Sequence, residues 1–352
     1  MLFRKVHIIK TSWRIATGKR TIKVIPKFLE ELGAYSSLIV CGENTFKFAG
    51  RKVEKILRKS GMETDHIFVK SPDFLNVKMA EKKAKAKRAQ VLIGVGGGKN
   101  IDVAKTVAFK LKVPYLSVPT IPSHDGIASP CSSIFKERKK LSLFLEPPAG
   151  IVVDISYLRK TPVRFFSSGA GDVIAKYTAV TDWELARERK NEYYGEYAGK
   201  ISSLAASVII ENASRYKEDY ESSIRLLIEA LISCGYAMSI AGSSRPCSGS
   251  EHSFAHAIDF LYPENQSLHG EKVALGTLIM SYIQGKDYEL IRKTMEILNL
   301  PKNYREIKIP EEILVNALIK ARKIRKRYTI LDEVKIENKS EAEKILKKLK
   351  II

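Results

Sequence analysis

The way strand-like and helix-like segments are distributed along the chain constrains its fold more than any other feature. Up to about residue 160, short apolar runs rich in valine and isoleucine alternate with segments of 3.6-residue apolar spacing. Residues 37–41, 66–69, 91–95, 114–118 and 151–154 read as buried strands, with helices at 45–60, 76–88 and 99–111 between them. Residues 138–147 read as one further short strand ahead of the last of these. Continuous apolar strands alternating with helices predict a parallel sheet covered on both faces. Beyond residue 160 the strand signal stops. Residues 171–188, 199–215, 222–241, 251–260, 271–283, 288–298, 311–324 and 341–349 carry helical spacing alone, which predicts a helical bundle. The expected fold is α/β plus all-α: a sheet domain over 1–160, a helical domain over 161–352, and a cleft between them.

The 352 residues carry a formal net charge of +21. A basic surface gains counterion-release energy on a phosphate backbone, which would suit a nucleic-acid-binding protein. Yet the densest basic stretches, 78–88 and 322–327, have alanine or isoleucine between the charges and no interleaved aromatic residue. They read as solvated helix faces of a lysine-rich surface that suits anionic substrates and cofactors, and no nucleic-acid partner is expected. No run approaches the roughly 18 uninterrupted apolar residues of a bilayer span, so no integral membrane segment is expected. The N-terminus lacks a signal-peptide pattern, and Cys41, Cys131, Cys234 and Cys247 are scattered without CxxC spacing. Both features point to reduced thiols in a cytoplasmic protein. Helical faces in the second half suit self-association, and a homo-oligomer is expected.

Gly94 to Asp102 reads GVGGGKNID and opens a helical pattern directly after the apolar run 91–93. A glycine turn placed there lets backbone amides close on a pyrophosphate, and the helix start adds a favourable dipole. The stretch is not the GxGxxG fingerprint, because Lys99 fills the third glycine slot. It is not a P-loop either, since Ile93 and Asn100 replace the first glycine and the hydroxyl residue. A tight turn without a ligand is the alternative, although three consecutive glycines cost about 1 kcal/mol each wherever they are helical. The strand at 114–118 then runs into a loop holding Thr120, Ser123, His124, Asp125 and Ser129. In open α/β sheets ligands collect beyond the carboxyl ends of the strands. There the hydroxyls suit cofactor contacts and Asp125 suits a substrate hydroxyl; a proline-stiffened turn accounts for the same residues without a ligand. After the first strand, Glu43 suits an adenosine 2′-hydroxyl while Thr45 and Lys47 suit a 2′-phosphate, so the expected cofactor is written NAD(P)H.

The helical half supplies a metal-binding pattern. Asp172 ends the stretch SGAGD, His252 and His256 stand at i and i+4 on one helix face, and His269 precedes a further helix. Ser253 replaces the glutamate of HExxH, which disfavours a zinc protease. Asp172, His252 and His269 make a set of one carboxylate and two imidazoles, which leaves an open coordination position as catalytic zinc sites do. Iron or manganese suits the same set. A lone histidine is more often a hydrogen-bonded core residue, but three within 18 residues favour a site. A cation there would act as a Lewis acid on a ketone oxygen as hydride arrives. His256 is the candidate for hydrogen-bonding the substrate or relaying a proton, with a supporting role for a neighbouring group as its alternative.

Taken together, GVGGGKNID, TIPSHDGIASP, SGAGDVIAKYTA, GSEHSFAHAID and LHGEKVALGT resemble the iron-containing alcohol and glycerol dehydrogenase superfamily. Within it they are most similar to archaeal sn-glycerol-1-phosphate dehydrogenases. The resemblance covers most of the chain and includes the segment from Arg327 to Leu331. It implies an N-terminal Rossmann-like domain, a C-terminal helical domain, and Zn2+ held by Asp172, His252 and His269. Substrate contact is implied near Asp125, Asp172 and His256, with Asp172 and His256 in catalytic roles. Cofactor contact is implied at Gly96, Gly97, Gly98, Lys99, Asn100 and Asp102, and at Thr120, Ser123 and Ser129. The implied reaction is NAD(P)H-dependent reduction of dihydroxyacetone phosphate to sn-glycerol 1-phosphate, the backbone of archaeal membrane ether lipids. Lys99, His124, Lys176, Arg245 and Lys272 lie near these motifs as donors for the substrate phosphate, and the sequence does not choose among them. Glycerol dehydrogenase is the nearest alternative. A dehydroquinate synthase would carry more lysine and arginine around 252–269, and a basic nucleic-acid-associated protein would leave the metal set unexplained.

Overall fold

The computed structural model describes residues 9–12, 14–136 and 139–352. They contain eight strands: β1 (Arg14–Gly18), β2 (Ser36–Cys41), β3 (Glu63–Phe68), β4 (Val91–Gly96), β5 (Tyr115–Pro119), β6 (Cys131–Lys136), β7 (Lys139–Phe144) and β8 (Gly150–Asp154). Six of them form one sheet in the order β1-β8-β5-β4-β2-β3, while β6 and β7 pair as a separate two-stranded unit. Every pairing in the large sheet is parallel, with Ser37 opposite Val91, Gly94 opposite Ser117 and Leu116 opposite Gly150. β4 is buried along its whole length, so its run of valine, leucine and isoleucine shows no polar alternation.

Helices cover both faces. On one side, α1 (Ile25–Glu31) and α2 (Arg51–Lys59) pack Ile25, Leu29, Val53 and Leu57 against Ile39, Ile93 and Val118. On the other, α3 (Phe74–Ala86) and α4 (Gly98–Leu111) meet Leu38, Val40 and Leu92. The two-residue period of a strand is what sends Leu38 one way and Ile39 the other. α4 is buried continuously from Asn100 to Ala108, because the sheet covers one side and β6 with the turn at 125–127 covers another, and the helices of the second half follow in the chain. Those are α5 (Val163–Ile174), α6 (Lys176–Lys190), α7 (Glu196–Glu211), α8 (Tyr220–Ala241), α9 (Ser250–Leu261), α10 (His269–Ile283), α11 (Tyr288–Ile297), α12 (Glu311–Ile324) and α13 (Lys339–Lys348). By length and composition α8 alone among the described residues is apolar enough to cross a bilayer, and 67% of its most apolar window is buried inside the fold.

Several elements depart from the sequence expectation. β1 was not foreseen; it is a five-residue edge strand, mostly half-buried, so RIATG carries little apolar signal. β6 was not foreseen either, since serines occupy two of its six positions. Of the strand expected at 138–147, Arg138 lies outside the described residues and β7 accounts for the middle. The helix expected at 45–60 passes through a π turn at Phe46–Gly50 before α2, and the helix expected at 171–188 is two helices that break at Ala175. Residues 322–327 do not form one solvated helix face: α12 stops at Ile324, and Arg325 is extended at φ −132°, ψ 146°.

β2 has its neighbour β3 on one side and β4 on the other, so the strand order reverses between β2 and β4. The crevice beyond the carboxyl ends of such a pair is where open α/β sheets bind ligands. The glycine turn after β4 opens onto it.

Candidate functional site

Close backbone approaches assemble the site. A Cβ on Gly171 would lie 2.5 Å from the carbonyl oxygen of Gly270, so only glycine lets α5 pass this near the start of α10. That contact sets Asp172 beside His269, the first residue of α10. A Cβ on Gly276 would likewise lie 2.6 Å from the Glu251 carbonyl, which seats α9 against α10 and brings in His252. One ligand atom from each of Asp172, His252 and His269 falls within 4.8 Å of the others.

Electrostatics at this point are unusually dense. Oδ2 of Asp172 accepts from the Asp125 amide at 2.7 Å, and Oδ1 accepts from Lys176 Nζ at 2.8 Å and lies 3.5 Å from His252 Nε2. Lys176 is fully buried; its ammonium also pairs with Asp125 Oδ2 at 3.0 Å and caps the Asp172 carbonyl at 2.7 Å. Burial works to raise the Asp172 pKa, but Lys176 and the His252 and His269 rings outweigh it and hold the carboxyl well below the usual carboxylate range. Glu251, also fully buried, lies 2.7 Å from His252 Nδ1 and accepts from the Gly249 amide at 2.6 Å. Burial pushes the His252 imidazole down, yet Asp172 and Glu251 together hold it above its ordinary value. Asp125, Asp172 and Glu251 gather three carboxylates around Lys176 and the His252 ring, an acidic setting that favours a bound cation. The donor set therefore fits a metal ion: a carboxylate and two imidazoles converge, and a carboxylate at Nδ1 turns His252 Nε2 toward the centre.

Beside the three residues lies a cavity of about 210 Å³. Gly98, Lys99 and Asp102 of α4 form one wall, Asp125 and Ser129 a second, and His252, His256 and His269 a third. Gly96 has φ +138°, and a Cβ there would meet the Asn100 amide, so the turn needs glycine for its own geometry.

A profile of iron-containing alcohol dehydrogenases matches residues 16–162. Over 336 residues the chain is 41% identical to the glycerol-1-phosphate dehydrogenase [NAD(P)+] of Methanosarcina mazei, covering 93% of this chain and 94% of that one. With the protein of the same name from Hyperthermus butylicus it shares 42% over 334 residues, at 93% and 94% coverage. The chain belongs to the glycerol-1-phosphate dehydrogenase family. Among solved structures, the glycerol dehydrogenase of Schizosaccharomyces pombe superposes with a TM-score of 0.82 at 21% identity, covering 98% of this chain and 90% of that one. At that identity the likeness speaks for the fold.

Not every residue singled out in this glycerol-1-phosphate dehydrogenase family member reaches the cavity. Gly96, Gly97, Asn100, Thr120 and Ser123 do not line it. The Asn100 amide donates to the Val95 carbonyl at 3.1 Å, the Thr120 amide to the Gly96 carbonyl at 3.1 Å, and the Ser123 carbonyl accepts from Ser168 Oγ at 3.0 Å. These bonds shape the turn and its neighbouring loop. Among the basic residues near the motifs, Lys99 lines the cavity and donates to the Lys70 carbonyl at 3.1 Å. Lys176 is held by its two aspartates, Arg245 pairs with Glu192, and Lys272 pairs with Asp259 and donates to Asn265 at 3.0 Å.

The cation that sequence reasoning missed is Arg325. It lines the cavity, donates to Ser248 Oγ at 2.8 Å and sits 2.8 Å from His256 Nε2. A guanidinium only donates, so that ring nitrogen accepts and the His256 proton is on Nδ1, 4.0 Å from Asp259 Oδ2. The signal was present in the sequence as a two-residue alternation: Arg325 and Arg327 turn inward while Lys326 between them is exposed.

Proposed function

We propose that this chain reduces dihydroxyacetone phosphate to sn-glycerol 1-phosphate with NAD(P)H, supplying the glycerol backbone of ether lipids in the cytoplasm. Near-full-length identity of about 40% to proteins named for this activity carries the reading. The convergence of Asp172, His252 and His269 beside a crevice that opens at a glycine turn supports how the reaction is performed.

A divalent cation held by these three residues, zinc above iron or manganese, would polarise the substrate carbonyl and stabilise the charge that develops on its oxygen. Everything else falls to the chain. The turn from Gly96 to Gly98 and the first amides of α4 donate to the cofactor pyrophosphate at a helix start. Lys176 holds Asp125 and Asp172 together and keeps Asp172 ionised, so that Asp172 binds as a carboxylate, while Asp125 orients a substrate hydroxyl. Glu251 fixes the His252 ring through Nδ1. His256, on the cavity wall, meets the substrate as part of the Arg325–His256 pair, in which its Nε2 accepts and its proton sits on Nδ1.

The test is spectrophotometric: purified protein, reduced nicotinamide and dihydroxyacetone phosphate, with chiral analysis of the product. Oxidation of the cofactor with formation of the sn-1 isomer is expected. Formation of the sn-3 isomer, or faster turnover of unphosphorylated dihydroxyacetone, would reject the assignment.

A further inference from the structure

Arg325 on the cavity wall and Arg327 behind it are held by neutral hydrogen-bond partners, with Glu251 and Glu192 acting on them only from beyond ion-pair distance. Arg325 donates to Ser248 Oγ and to His256 Nε2, and Arg327 donates to the Ser248 carbonyl and to Ser244 Oγ at 2.9 Å. Among the described residues, neither forms an ion pair with a carboxylate. Their neighbour Arg245 differs in this respect, since Glu192 neutralises it. Burial pushes the Arg327 guanidinium down to about 10, helped by the positive charges of Arg325 and Arg245, and burial pushes Arg325 down as well. Burial and mutual crowding outweigh the distant pull of Glu251 and Glu192, so the two cations repel one another in a way that a bound anion relieves.

The arrangement points outward as a receptor. Of the five N–H donors on a guanidinium, Arg325 uses two on neutral groups, which leaves donors for a ligand. Ser248 links the two arginines, accepting from Arg325 through its hydroxyl and from Arg327 through its carbonyl. That link fixes the Arg325 fork, and a fixed fork suits the paired oxygens of a phosphate better than a lysine does. Position fits as well. The His256 ring touched by Arg325 has its centroid 6.0 Å from that of His269, so one imidazole separates the guanidinium from the metal-binding set. In a three-carbon ketone phosphate, three bonds of ~1.5 Å separate the carbonyl carbon from phosphorus, a span of about 4 Å.

We infer that Arg325, braced by Ser248 and Arg327, is the subsite for the substrate's phosphate and makes the cavity select phosphorylated three-carbon ketones over free ones. This rests on the reading under Proposed function. It also assigns the basic run at 322–327 a role in specificity, where the sequence suggested only a solvated face.

The test compares dihydroxyacetone phosphate with dihydroxyacetone as substrates of the wild-type enzyme and of R325Q and R325K, each with its metal and NADH. In R325Q, the ratio of kcat/KM for the phosphorylated ketone to that for the free ketone should fall on the order of 10²–10³-fold. R325K, which keeps the charge and loses the fork, should recover part of the preference. Inorganic phosphate should inhibit the wild-type enzyme competitively against dihydroxyacetone phosphate and not against NADH. Preference for the phosphorylated ketone that survives in R325Q, a parallel loss on both substrates, or phosphate inhibition of equal strength in R325Q and wild type would each overturn the inference while leaving the reaction in place. A wild-type enzyme indifferent to the phosphate would overturn the reaction itself.

Discussion

Replacing Gly171 by alanine tests how Asp172 is brought to His269. Helix propensity alone favours the change by about 1 kcal/mol, because Gly171 lies inside α5. Packing opposes it. The new methyl would stand 2.5 Å from the Gly270 carbonyl oxygen and 3.0 Å from Leu300 Cδ2, where ordinary contact begins at 3.4 Å. Leu300 can change rotamer, but a carbonyl oxygen at the start of a helix moves only with its helix. α5 and α10 must therefore part by the missing 0.9 Å. Overpacking of this kind costs about 1–3 kcal/mol, which leaves a net loss of about 0–2 kcal/mol once propensity is subtracted. The site suffers more than the fold. Metal-ligand distances tolerate only about ±0.2 Å, and an ångström of misplacement costs on the order of 10²-fold in turnover. The measurements are urea titration for stability, metal retained after dialysis against a chelator, and kcat/KM with dihydroxyacetone phosphate. G171A should lose roughly 10²-fold in metal affinity and kcat/KM, with NADH affinity unchanged within about 2-fold. A variant that gains stability and retains metal as the wild type does would show that the close approach is not what sets the ligand geometry.

Three further outcomes are expected. H252A and H269A should each lose bound metal and turnover together while still binding NADH; full activity after exhaustive metal removal would reject the assigned chemistry. E251Q, which weakens the partner of His252 Nδ1 at 2.7 Å, should lower metal affinity about 10–100-fold, and an unchanged affinity by competition titration would remove Glu251 from the site. Cys131 borders the cavity, yet burial pushes its thiol up to about 12. At pH 8 roughly 10⁻⁴ of it is thiolate, against about a quarter for a thiol near 8.5, so iodoacetamide should modify it roughly 10³-fold more slowly than glutathione. The rate should climb about tenfold per pH unit between 8 and 11, and rapid labelling at pH 8 by mass spectrometry would contradict the burial argument.

Much of the fold was legible because its central strands are buried on both faces. β2, β4, β5 and β8 carry unbroken apolar runs, and these fall where the sequence placed them. The elements that escaped sit at edges, where burial is partial: β1 at the end of the sheet, and serine-bearing β6 outside it. Asp172, His252 and His269 were readable because each stands in an unusual glycine- or serine-bearing context. What the sequence hid was the depth of their support. Nothing local marks Glu251 as the partner of His252, or Lys176 as the bridge between aspartates 47 residues apart. Arg325 was concealed by its neighbours, since a run of basic residues reads as solvent-facing until the helix is seen to stop before it.

The contiguous core joins Leu92 and Val107 of the sheet half to Ala170, Leu227, Phe254 and Leu318 of the helical half. Cutting the chain near residue 160 would strip apolar surface bare on both fragments, at about 25 cal/mol for every Å² exposed to water. Heat should therefore silence nucleotide capture and carbonyl chemistry in one calorimetric event, with neither activity outlasting the other.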